Sequence, residues 1–114
     1  MSFWRKEVIQ PALDRDVETA IAEQKAILER DPKNPQAHFA LGTLAYFKGE
    51  ITAAIELFIQ AIELDSSYAA PHMSLGRLYA LQGKYDLAWK HAREAARLGN
   101  NELVEQLGRY TKLK

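Results

Sequence analysis

The sequence predicts an all-α protein made of repeated helix pairs, and three observations carry that prediction. The chain matches itself at an offset of 34 residues. The matched positions are glycines and alanines that let helices approach closely. Proline, asparagine and glycine punctuate the apolar pattern where one helix would stop and the next begin.

The self-match is concrete. His38 pairs with His72, Leu41 with Leu75, Gly42 with Gly76 and Leu44 with Leu78; further on, Gly49 pairs with Gly83, Ala54 with Ala88, Ala61 with Ala95 and Leu64 with Leu98. Gly42 and Gly76 fall inside helical patterns, where glycine costs about 1 kcal/mol relative to alanine. A glycine kept twice in register implies a neighbouring helix too close for a side chain, with Ala54, Ala61, Ala88 and Ala95 as the small surface opposite. Gly49 and Gly83 mark helix ends, where a left-handed residue closes the last turn.

The elements follow in order. Residues 1–34 echo the repeat weakly: Trp4 and Ala20 occupy matched places, Asp31-Pro32 closes the unit, and Glu7, Val8 and Pro11 spoil its opening helix. A first helix bent or shortened near Pro11 is expected. Asn34-Pro35 is an N-cap followed by proline at the first helical position. Residues Ile51 to Leu64 are apolar around most of the helix, as for an element covered on several sides. Ser66-Ser67 ahead of Ala69-Ala70-Pro71 suggests a serine-capped start. Residues 84–98 confine Tyr85, Leu87, Ala88, Ala92, Ala95 and Ala96 more to one side. Gly99-Asn100-Asn101 ends that helix and caps the next, in which Leu103, Val104, Leu107 and Tyr110 alternate with polar residues. That segment is an amphipathic capping helix. The expected division is one domain: a degenerate first repeat over 1–34, repeats over 35–68 and 69–102, and the capping helix over 103–114.

These residues resemble the tetratricopeptide repeat, whose pattern runs W-x2-L-G-x2-Y, then A-x3-F, then P. One copy reads His38, Leu41-Gly42, Ala45, Ala54, Phe58 and Ala61, and the next His72, Leu75-Gly76, Tyr79, Ala88, Ala92 and Ala95. Histidine replaces the tryptophan twice, Ala45 the tyrosine and Ala92 the phenylalanine, and no proline closes either copy. The resemblance implies a right-handed stack of antiparallel helix pairs whose first helices line a concave groove for a partner peptide or helix. On this chain the groove places are Gln36, Phe39, Ala40, Thr43, Tyr46 and Phe47, then Ala70, Met73, Ser74, Arg77, Ala80 and Leu81. Phe39, Tyr46, Phe47 and Met73 form the expected apolar anchor, since aromatic and Met side chains dominate interface energetics. A subgroup that grips chaperone tails carries lysine and asparagine where this chain has Phe39 and Thr43, so that clamp is not expected. The implied partner is another protein, apolar where it docks, with self-association as the alternative.

Composition narrows the other classes. Fifteen Lys plus Arg balance fifteen Asp plus Glu, which disfavours nucleic-acid binding because phosphate recognition needs a cationic excess. No cysteine is present, so disulfides and thiolate chemistry are excluded. The N-terminus lacks a signal peptide's long apolar segment, and nowhere do about eighteen apolar residues run together. A cytoplasmic protein is the expectation, with Phe3 and Trp4 in a docked first segment rather than on a membrane. His38 and His72 lack a third ligand and read as half-buried packing residues rather than a metal pair. His91 falls on the outer face of its helix by spacing and is expected to be solvated. Ser66, Ser67 and Ser74 lie in no nucleophile motif, and Gly83-Lys84 lacks the rest of a phosphate loop. Neither an enzyme nor a bound cofactor is expected.

Overall fold

The computed structural model describes residues 10–111, and the side chains of residues 16–109. Among the described residues six helices follow one another: α1 Gln10–Arg30, α2 Pro35–Phe47, α3 Ile51–Leu64, α4 Ala69–Leu81, α5 Tyr85–Arg97 and α6 Glu102–Thr111. No strand occurs among the described residues. Each helix packs on the next, most extensively α2 on α3 and α4 on α5, and α6 also touches α4. Among the described residues these are two complete helix pairs, α2 with α3 and α4 with α5, with α1 before them and α6 after. The expectations for Phe3 and Trp4 lie outside the described residues. Pro11 sits in the first turn of the described α1, which continues to Arg30 as a single helix.

Local chemistry sets the boundaries. The Asn34 side chain accepts a 3.0 Å hydrogen bond from the Ala37 N–H while Pro35 occupies the first helical position. Three helices then end the same way. Gly49, Gly83 and Gly99 adopt φ of +81°, +76° and +105°, and the following N–H reaches back five residues: Glu50 to the Ala45 carbonyl (2.9 Å), Lys84 to Tyr79 (2.8 Å) and Asn100 to Ala95 (2.8 Å). This reach-back satisfies carbonyls that the helix end would otherwise orphan, and positive φ suits glycine because it has no Cβ. Asn100 then receives the Glu102 N–H at 3.0 Å ahead of α6.

The serine cap of α4 is not formed. Its N-cap is Tyr68, without a side-chain capping bond. Ser67 donates both its hydroxyl (2.7 Å) and its backbone N–H (3.1 Å) to the Asp65 carboxylate. Ser67 lies one residue ahead of the cap position, and its hydroxyl and N–H close the preceding loop on the Asp65 carboxylate.

Two hydrophobic clusters make the core. Ala45, Ala54, Phe58, Leu75 and Leu78 join α2, α3 and α4; Met73, Ala88, Ala92, Ala95, Leu103 and Leu107 join α4, α5 and α6. Tyr79 packs against both. A Cβ on Gly42 would lie 2.6 Å from the Phe58 ring, and one on Gly76 would run into the Leu103 side chain. The repeated glycines are therefore where a side chain from another helix rests on bare backbone, Phe58 of α3 on Gly42 and Leu103 of α6 on Gly76. α3 is less enclosed than its composition suggests: Ala54, Phe58 and Ala61 are buried, while Ile59 and Leu64 are exposed.

Candidate functional site

The face formed by α2, α4 and α6 carries two neighbouring depressions. One, of about 290 Å³, is lined by Thr43, Tyr46 and Phe47 of α2, Phe58 of α3, and Ser74, Arg77, Leu78 and Leu81 of α4. The other, of about 530 Å³, is lined by Arg77, Ala80, Leu81, Tyr85, Leu103, Gln106 and Leu107. Arg77 and Leu81 stand at the join. Among the described residues lining either depression, Arg77 alone is charged, and its guanidinium reaches Glu102 at 3.1 Å.

The most exposed apolar side chains of this face occupy equivalent repeat positions. Phe47 is 70% exposed and Leu81 is 74% exposed; they are 34 residues apart, each the last residue of its helix. Tyr46 is 41% exposed, and its ring lies 6.1 Å from that of Phe47. Leaving two such side chains in water forgoes about 1.5–3 kcal/mol of burial for each. A surface patch of this kind differs from scattered apolar residues because it surrounds a depression.

The other expected groove residues divide. Thr43, Ser74, Arg77 and Leu81 line the depressions with Tyr46 and Phe47, while Ala40 is half-buried and Gln36 exposed outside their walls. Met73 is a correction: only 6% exposed, it lies in the core among Ala88, Ala92, Ala95, Leu103 and Leu107. The capping helix covers the flank of α4 that a first-helix count leaves open. Phe39, one repeat earlier, is half-buried with its ring 5.5 Å from both Phe58 and Tyr68. Of the expected anchor residues Tyr46 and Phe47 are exposed, while Phe39 packs against aromatic rings of its own repeat.

The histidines also sort differently from their spacing. His72 is a packing residue but lies deeper than the half-buried place expected for it, at 5% exposure. His38 is half-buried, its Nε2 3.2 Å from the Pro32 carbonyl and its Nδ1 buried without a hydrogen-bond partner. His91 is not solvated: it is half-buried, with its ring stacked on Tyr79 at 5.7 Å and its Nδ1 3.1 Å from that of His72. His91 stands three residues after Ala88 and four before Ala95, so it borders the alanine face, and the large Tyr79 ring extends the interface around to meet it. No group of three or more His, Asp or Glu suited to a metal occurs among the described residues.

With two helix pairs, glycine-closed turns and a shared lining face established, the relatives bear on identity. A family model described as TPR repeat matches residues 44–83. The chain belongs to the tetratricopeptide-repeat family. It is 35% identical over 75 residues to the tetratricopeptide repeat-containing protein trd-1 of Caenorhabditis elegans, a match covering 65% of this chain and 9% of that one. It is 32% identical over 82 residues to the TPR repeat-containing protein YpiA of Bacillus subtilis (strain 168), covering 72% and 19%. The chain therefore spans about a tenth to a fifth of these relatives. Two solved structures share the fold at 23% identity: MamA AMB-1 with a TM-score of 0.63 over 75% of this chain and 51% of that one, and MamA MSR-1 with 0.64 over 75% and 49%. The all-α tetratricopeptide-like stack is common to all three molecules. No described helix is long and apolar enough to cross a membrane.

Proposed function

We propose that this tetratricopeptide chain is a protein-interaction module that holds an apolar segment of a partner protein across the ends of α2 and α4. The supporting observation is the pair of exposed, repeat-equivalent residues Phe47 and Leu81 beside Tyr46, at the rim of adjoining depressions. A bound segment of two or three turns of helix, or a shorter extended strand, would place apolar side chains in both depressions. The rigid floor is Phe58 and Leu78, buried at 2% and 4% exposure, so binding would order few protein side chains and lose little entropy. Arg77 offers its charge at the join, in competition with its contact to Glu102.

The test uses peptides selected from a random displayed library on the wild-type chain, with affinities then measured by fluorescence polarisation against Phe47→Ala/Leu81→Ala. Both residues are exposed, so the variant should fold normally by circular dichroism. The expected result is enrichment of closely spaced apolar residues and an affinity at least tenfold weaker for the variant. Equal affinity for both proteins would place binding elsewhere. The alternative, a self-associating assembly module, is read in the same samples by light scattering: a wild-type dimer that becomes monomeric in the variant favours it.

A further inference from the structure

α4 and α5 meet through a pair of imidazoles. The Nδ1 atoms of His72 and His91 are 3.1 Å apart, the ring centroids 5.3 Å apart and the planes inclined by 34°. The centroid separation is close to the nitrogen–nitrogen distance plus two ring radii, so the rings meet nearly end-on. That is the geometry of one hydrogen bond along a line, and not of two lone pairs converging on a third atom. Such a bond needs one Nδ1 with a hydrogen and one without. The His72 ring also hydrogen-bonds the Ser66 backbone in a way that favours a protonated ring nitrogen. The network therefore assigns a neutral His72 with a bare Nδ1, accepting from Nδ1–H of His91.

The surroundings oppose charge on the pair. His72 is almost wholly buried, and Tyr79 of α4 stacks on His91. Lys90, Glu94 and Arg97 of α5 act on the pair, but the Glu94 carboxylate that would favour protonation is held by Arg97 at 2.9 Å. Burial, then His72 and Lys90, lower the His91 pKa to about 4; burial also lowers that of His72. The preceding repeat supplies an internal comparison. There Leu57 stands at the position equivalent to His91, and the Nδ1 of His38 is buried without a partner. The second imidazole belongs to the last helix pair and not to the repeat as such.

We propose that the His72–His91 pair is an acid-labile latch, holding α4 against α5 while one hydrogen lies between the two Nδ1 atoms and letting go when both rings are protonated. A first added proton still leaves one hydrogen between the two Nδ1 atoms, whichever ring takes it. A second leaves both Nδ1 atoms protonated, which sets two N–H groups head-on and two positive charges side by side. Both folded pKa values lie below the ordinary histidine value of about 6.5, so between there and about 4 the unfolded chain binds more protons. The latch contributes its full stability above the ordinary value and loses it as pH falls toward 4. It stands independently of the groove as a binding site.

The experiment is a histidine-ring NMR titration of the full chain together with thermal unfolding between pH 7 and 4.5 at fixed ionic strength, for wild type and His91→Gln. Glutamine can donate an amide hydrogen to His72 but does not titrate. Two imidazoles are expected to titrate below the value in the denatured chain, and acid should lower the wild-type Tm several degrees more than that of His91→Gln. Titration of both rings near 6.5 would overturn the latch, as would equal acid sensitivity of the two proteins. Should His91→Gln fail to fold at neutral pH, the wild-type titration decides alone.

Discussion

At the scale of single residues, the sequence marks close approach better than it marks exposure. Gly42 and Gly76 announce themselves because glycine inside a helix needs a reason, and the Phe58 and Leu103 side chains supply it. Gly42→Ala should destabilise by about 1–2 kcal/mol, because overpacking against the buried Phe58 ring exceeds the gain in helix propensity. Gly108, also helical, has nothing within 4 Å of an added Cβ, so Gly108→Ala should stabilise by about 0.5–1 kcal/mol. Urea denaturation of the two variants measures both, and a shared sign would refute the account. Exposure was harder to read. Met73 and Phe39 occupy first-helix places that suggest a groove, but the third dimension decides which flank another helix covers. His91 borders the alanine face, three residues from Ala88 and four from Ala95, and only the packed Tyr79 ring shows that the interface reaches it.

At the scale of elements, boundaries written in backbone chemistry were legible and those written in side-chain competition were not. Asn34-Pro35 and the three turn glycines each do what their chemistry favours, whereas Ser67 is drawn to Asp65 instead of capping α4. The capping helix was visible in its amphipathic pattern, but its grip on Gly76 was not. Leu103 is buried at 2% exposure, and its end occupies the space above that glycine. Leu103→Ala should cost about 2–4 kcal/mol, reading as a lower urea midpoint with little change in slope. Gly76→Ala should be strongly destabilising in the wild-type background and markedly less so with Leu103→Ala, because the cavity then admits the new methyl group. Additivity in this double-mutant cycle would show that α6 does not rest on Gly76.

At the scale of the whole molecule, the 34-residue period foretold a stack in which neighbours in sequence are neighbours in space, and the order of packing obeys it. Such an array is stabilised by its interfaces, so its local stability should follow how much each helix buries. The two clusters centre on α2 to α6 and meet at Tyr79, which ties the two helix pairs into one cooperative unit. Among its described side chains α1 contributes no member to either cluster, and its ion pair between Glu18 and Lys48 is exposed on both sides, where such pairs add little. Its described side chains beyond residue 16 are half-buried at best. Native-state hydrogen exchange should therefore find the α1 amides opening locally, with free energies well below those of α3, α4 and α5, which should exchange near the global unfolding limit. Equal protection in α1 and α4 would mean that the first helix is bound into the same unit by contacts beyond these clusters. The expected gradient would instead place the cooperative core between α2 and α6, beneath the face that carries Tyr46, Phe47 and Leu81. A partner seated there would rest on the part of the molecule that opens least, and its binding should leave exchange in α1 almost unchanged.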